Sequence, residues 1–265
     1  MPVQLLAGHR QSKVAAPRRS TIADRPQLYL LFALVLAGSF QRAQAQNLVS
    51  AMVRTAEDQL EDGRANLDER TLTAARRIFE DCIQQDAKNA RCYYDMARTD
   101  SYIADARERQ RDKKAAQQKI DTAIESTRRA IDLNNGFADA HALLADLYGR
   151  KIGYGGALTG IRLGPKAQAE TQRALELDPN DPRIYIVIGR RQLYSPRMFG
   201  GDIEKAIESF RKATVVDPHD DEAFVWLAIA YGKKGDSDAA KAAVDEALRL
   251  NGRNVIAREI RSAMR

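Results

Sequence analysis

Asp217-Pro218 leads into Ala223, Phe224, Trp226, Leu227, Ala228 and Tyr231; Lys233-Lys234-Gly235-Asp236 interrupts; Ala240, Val244, Ala247 and Leu250 follow. This passage completes a stretch running from Asn180 to Asn251, and its apolar residues recur at helical spacing. The small residues Ala228, Ala240 and Ala247 stand where two helices would approach closely, and Trp226, Leu227, Tyr231, Val244 and Leu250 are large enough to fill the space beside them. Gly235 suits the end of a first helix and Asp236 the cap of a second. The passage predicts a helical hairpin.

The same phrase recurs upstream. Ala206, Ile207, Phe210 and Ala213 precede Asp217-Pro218; Ala167, Ala174 and Leu177 precede Asp178-Pro179; Ala123, Ala130 and Leu133 precede Asn134-Asn135; Ala75, Phe79 and Ile83 precede Asp86-Ala87. From the last turn backwards these closing residues are 39, 44 and 48 positions apart. The order of bulky residue, Leu, small residue, Tyr, then Ala, aromatic or aliphatic, Ala and a closing Pro resembles the tetratricopeptide repeat, whose plain form spans ~34 residues. The resemblance covers residues 70–251 and implies an all-α, right-handed solenoid of about 4.5–5 helix hairpins. Because the closing turns stay short, the excess length belongs between the two helices of the inner repeats. Insertions are expected near 103–115, 150–165 and 195–202.

Two of these insertions carry apolar side chains. Arg150 to Lys166 is rich in Gly and aliphatics, and Ser195 to Asp202 contains Met198-Phe199-Gly200-Gly201. Both are expected to be loops whose Leu158, Ile161, Leu163, Met198 and Phe199 fold back over the edge of the stack, with ligand contact as the second role. Gly164-Pro165-Lys166 lacks the spacing of a phosphate loop.

In a solenoid of this kind the first helices line the concave face. Register places Arg91, Tyr94, Arg98 and Tyr102 there, with Asp139 and Asp146, then Arg183, Ile186, Arg190 and Tyr194, then Val225 and Ile229. Tyr and Arg combine large area with a hydrogen-bonding tip, which suits recognition. Arg98 and Arg190 could hold an anionic group or simply pair with Asp146. The residues singled out as binding candidates are Arg91, Tyr94, Arg98, Tyr102, Asp146, Arg183, Arg190 and Tyr194.

No Ser or Cys has a base beside it, and no carboxylate pair stands out, so no catalytic residue and no cofactor is expected. His9, His141 and His219 have no ligand spacing, and no metal is expected either. Cys82 and Cys92 flank one short turn. They either form a disulfide or each fill a slot where Ala is usual.

Residues 1–45 stand apart from the repeats at 46–265. A basic leader precedes the apolar run Leu28 to Gly38, which is short for a membrane span, and Ala43-Gln44-Ala45 has the small-x-small pattern of a cleavage site. The segment reads as a secretory signal that is removed, leaving no stable membrane insertion and a periplasmic or secreted protein. Ser39 stands where a lipoprotein would carry its Cys. Of the 42 basic and 36 acidic residues, six and one lie in the leader, so the remainder is near neutral and nucleic acid is not an expected partner.

The expected role is that of a non-enzymatic exported module that binds a protein or peptide in its concave groove, with a small solute as the second ligand class. Stretched repeats and the Phe199-Gly200-Gly201 turn are also similar to the T component of TRAP transporters. That resemblance implies partnership with a solute-binding protein, although Ser39 replaces the anchoring Cys usual in that family.

Overall fold

The computed structural model describes residues 49–264, and the expected signal segment at 1–45 lies outside them. Helices follow one another throughout, with no strand among the described residues. A first helix, α1, occupies 49–66. It is followed by α2 (Glu69–Gln85), α3 (Ala90–Arg109), α4 (Lys113–Leu133), α5 (Ala138–Leu177), α6 (Pro182–Tyr194), a 3-10 turn (Arg197–Phe199), α7 (Ile203–Val216), α8 (Asp221–Lys234), α9 (Ser237–Leu250) and α10 (Val255–Ala263). Successive helices pack as antiparallel pairs, and successive pairs stack, giving a tetratricopeptide solenoid of five hairpins followed by α10.

Local chemistry explains most of the boundaries. Asp68, Asn89, Asp112, Asp181, Asp202, Asp220, Asp236 and Asn254 each cap a helix by accepting from a backbone N–H in its first turn. Gly235 ends α8 at φ 87°, in the left-handed region that glycine enters without strain. The small residues of the repeat sit at the helix crossings as their pattern requires. Ala75, Ala123, Ala130, Ala174, Ala206, Ala213, Ala240 and Ala247 are all fully buried. At one crossing the approach is closer still, because a Cβ on Gly189 of α6 would stand 2.6 Å from the ring of Phe210 of α7.

The segment expected as a loop at 150–165 is helical. α5 continues through it and breaks only at Gly156, whose φ of 68° and ψ of −159° turn the chain between the two arms of the third hairpin. Gly-rich composition does not by itself prevent helix once both arms pack. Pro165 is accommodated inside the second arm. At 195–202 an irregular segment does stand, formed by the 3-10 turn and Gly200 at φ 89°. The expected folding back of apolar side chains is also corrected. Leu163 alone is buried, at 6%, whereas Leu158, Ile161, Met198 and Phe199 are 83%, 67%, 82% and 61% exposed. Leu158 and Ile161 stand on the side of the second α5 arm away from Leu163, so helix geometry turns them to solvent once Leu163 packs inward.

Cys82 in α2 and Cys92 in α3 are joined by a disulfide, with Cα atoms 6.3 Å apart. The bridge ties the second helix of one hairpin to the first helix of the next.

Candidate functional site

The first helix of each hairpin faces inward, and together they enclose a cavity of about 1280 Å³. Its apolar lining includes Leu143, Ile186, Val225, Trp226 and Ile229. Around that lining runs a band of charge, with seven cationic side chains from Arg64 to Arg190 and nine carboxylates from Glu61 to Glu222.

Tyr94, Arg98, Tyr102, Asp139, Asp146, Arg183, Ile186, Arg190, Tyr194, Val225 and Ile229 all line the cavity. Arg91 stays outside it, where Nε meets Asp95 Oδ2 at 2.5 Å and Nη2 meets Glu57 Oε1 at 2.9 Å. One turn of register separates it from Tyr94, enough to move it from wall to rim.

The arginines are engaged. Arg183 donates to the Tyr94 hydroxyl at 2.9 Å and pairs with Asp139 at 2.8 Å and Asp181 at 2.9 Å. Arg190 pairs with Asp146 at 2.6 Å while its guanidinium lies 4.5 Å from the centroid of Trp226. Tyr194 meets the same indole edge-on, with centroids 6.3 Å apart. Arg98 reaches back to Glu61 at 2.8 Å and to Asp95 at 3.3 Å. Pairing with Asp146, the alternative open to both Arg98 and Arg190, therefore holds for Arg190 and not for Arg98.

Burial shifts the titrating groups of the lining. It raises the Tyr94 phenol to about 12 against the opposing charges of Arg98 and Arg183. Tyr102 is raised by burial and by Glu222, to whose carboxylate it donates at 3.3 Å. Asp139 is raised by burial despite Arg183. Asp220, at the cap of α8, is pushed up to about 7 by burial and by the like charge of Glu222.

Residues that register did not single out complete the site. Arg64 and Glu61 come from α1, Asp105 and Arg150 pair at 2.6 Å, and Asp221 and Glu222 come from the start of α8. They belong to the cavity because the stack curls until its two ends meet. Asp62 of α1 pairs with Arg253, and Arg109 of α3 pairs with Glu259 of α10. Repeat register carries no signal for such curvature. The unusual density of charge in α1 and α3 was the available hint.

The arginines of the lining are all paired, and Lys113 is its one lysine or arginine without an ion pair among the described residues. A ligand that carries both signs, set on an apolar body, can exchange with the internal pairs without leaving one partner orphaned. Among the described residues no group of three or more His, Cys, Asp or Glu side chains is placed to hold a metal.

Family models for the tetratricopeptide repeat match residues 200–235 and 221–254. A model described as Regulator of microtubule dynamics protein 1-3 matches residues 52–193. No curated protein matches the chain. Among solved structures, TTC0263, a thermophilic tetratricopeptide protein of Thermus thermophilus, is 17% identical; the match covers 79% of this chain and 98% of that one, with a TM-score of 0.59. YrrB, a tetratricopeptide protein with an unusual peptide-binding site, is 17% identical over 84% of this chain and 97% of its own, with a TM-score of 0.39.

Proposed function

The chain belongs to the family described as Regulator of microtubule dynamics protein 1-3, and from that premise we propose that it is a non-enzymatic scaffold that holds an extended segment of a protein partner in its central cavity. The tetratricopeptide fold serves protein–protein interaction generally, and the family's name speaks of an activity exerted on an assembly of proteins. One observation carries the proposal. The cavity combines an apolar lining with arginines that are each already matched to an acid, a pattern that suits a peptide of mixed charge better than a lone anion. Tyr102, Arg183, Arg190 and Tyr194 are the contacts assigned to the partner, with Arg98, Asp146 and the buried Tyr94 positioning them. Arg91, at the rim, contributes at most to entry.

We place the protein outside the cytoplasm. The leader with its Ala43-Gln44-Ala45 site supports this, as does the Cys82–Cys92 bridge, a bond that persists in oxidising compartments. N-terminal sequencing of the cellular protein should begin at Gln46; an intact leader would refute the placement.

The binding proposal is tested by a photo-crosslinking residue introduced in cells at Tyr194, at the cavity mouth, and separately at the exposed Val215. Capture of a discrete protein at Tyr194 and not at Val215 is expected. Equal capture at both positions, or none at Tyr194, would overturn it.

A further inference from the structure

Seven large apolar side chains are markedly exposed among the described residues, and Leu158, Ile161, Met198 and Phe199 are four of them. Leu158 and Ile161 follow directly on the Gly156 break inside the third hairpin, and Met198 and Phe199 lie in the 3-10 turn that joins the two helices of the fourth. Stacked neighbouring hairpins place their internal turns along one edge of a solenoid, so these side chains share that edge. Residues 157–163 belong to the second arm of α5, with Leu163 turned into the core and Leu158 and Ile161 turned outward, so the apolar projection is held on a rigid element.

Around these four side chains the edge is basic, while Asp202 borders the second segment and Asp68, Asp112 and Asp236 cap helices elsewhere along it. From Arg150 to Lys166 and from Arg190 to Gly201 the chain has basic residues and no acidic one. Arg150, Lys151 and Arg190 are occupied by Asp105, Asp121 and Asp146. Arg162, Lys166, Arg191 and Arg197 are exposed and make no ion pair among the described residues. The opposite edge has the contrary character: the turns from Leu177 to Pro182 and from Val216 to Asp221 carry Asp178, Asp181, Asp217, Asp220 and Asp221.

We infer that the edge bearing Leu158, Ile161, Met198 and Phe199 docks into the headgroup region of an anionic lipid bilayer. Exposed aliphatic and aromatic side chains ringed by unpaired Arg and Lys match an interface that is apolar below and negative above, and the acidic edge sets the orientation by repulsion. Among the described residues no helix is long and apolar enough to cross a membrane, so this attachment is interfacial. A second copy of the chain packed edge to edge would bring the like charges of Arg162, Lys166, Arg191 and Arg197 together.

Full-length protein is mixed with vesicles of phosphatidylcholine, alone or with phosphatidylglycerol. Met198→Trp and Val215→Trp variants report, by quenching from brominated lipid, which edge meets the bilayer. Quenching at Met198→Trp, above the background of Trp226 and only with the anionic vesicles, is expected, with none added at Val215→Trp. Arg162→Ala and Arg197→Ala should each weaken sedimentation with the vesicles about fivefold, and Leu158→Ser with Phe199→Ser should abolish the quenching. Quenching at both positions, or at neither, would overturn the inference. So would light scattering that finds a dimer of the wild type dispersed to monomers by Leu158→Ser with Phe199→Ser, since a second copy would then be what covers this edge.

Discussion

Arg64 Nη2 in α1 lies 2.9 Å from Asp221 Oδ1 at the start of α8, although the two residues are 157 positions apart. The other Asp221 oxygen accepts from Asn251 at 3.1 Å and from Asn254 at 2.6 Å. Burial works against the charge of Asp221, yet Arg64 and the two amides hold its carboxyl below the ordinary range. The first helix is thereby fastened to the last hairpin and to α10. Arg64→Leu should lower stability by about 2 kcal/mol, somewhat less than a wholly buried pair because both side chains retain some exposure. Urea unfolding of the two proteins measures the difference. Asp221→Asn should cost less, since the amide still meets part of the network.

Asp220 gives stability a dependence on pH. Its folded value of about 7 lies above that of a carboxyl in an unfolded chain, so the native state binds more protons between roughly pH 4 and pH 7. Its contribution is fully present below that window and is lost as the pH rises through it. Asp220→Asn retains the cap of α8 and removes the titration. The variant should match or trail the wild type at pH 4 and exceed it at pH 8, by urea midpoints at each pH.

Gly189→Ala tests the crossing of α6 and α7. The new methyl would meet the fully buried Phe210 ring at 2.6 Å, a clash that the gain in helix propensity does not offset. A loss of about 1–3 kcal/mol is expected from overpacking. Phe210→Leu added to Gly189→Ala should return part of it, and a fully additive pair of losses would count against the contact.

Reduction of the Cys82–Cys92 bond opens a loop whose ends are 10 positions apart. Chain entropy sets the expected loss at about 3 kcal/mol. Thermal melts with and without reductant, beside Cys82→Ala with Cys92→Ala, measure it. If the reduced protein and the double variant melt with the oxidised one, the bond adds nothing to the native state.

Much of the fold is legible along the chain because the repeat writes its contacts locally. Ala240, Val244 and Ala247 are spaced to face a partner helix only a few residues away, and Asp236 and Gly235 mark the turn between. The lining of the groove follows from the same register, which is why Tyr94, Arg183 and Arg190 could be placed before any coordinates. Arg64 and Glu222 could not, since only the accumulated rotation from hairpin to hairpin brings α1 to α8. Helix in Arg150–Lys166 was equally hidden. Glycine and proline there argue locally for a break, and the packing of Leu163 and Ala167 against α3 and α4 outweighs them.

An open row of repeats tolerates the gain or loss of a unit, since each one answers only to its neighbours. Here Arg64 and Asp221 make the number of hairpins a fixed quantity: deleting or duplicating one would carry the two groups out of reach of each other. The closed arrangement also predicts melting in a single step, where a linear array would fray inward from its tips. Lineages that keep this clasp should vary in their surfaces and turns while holding the count of repeats constant.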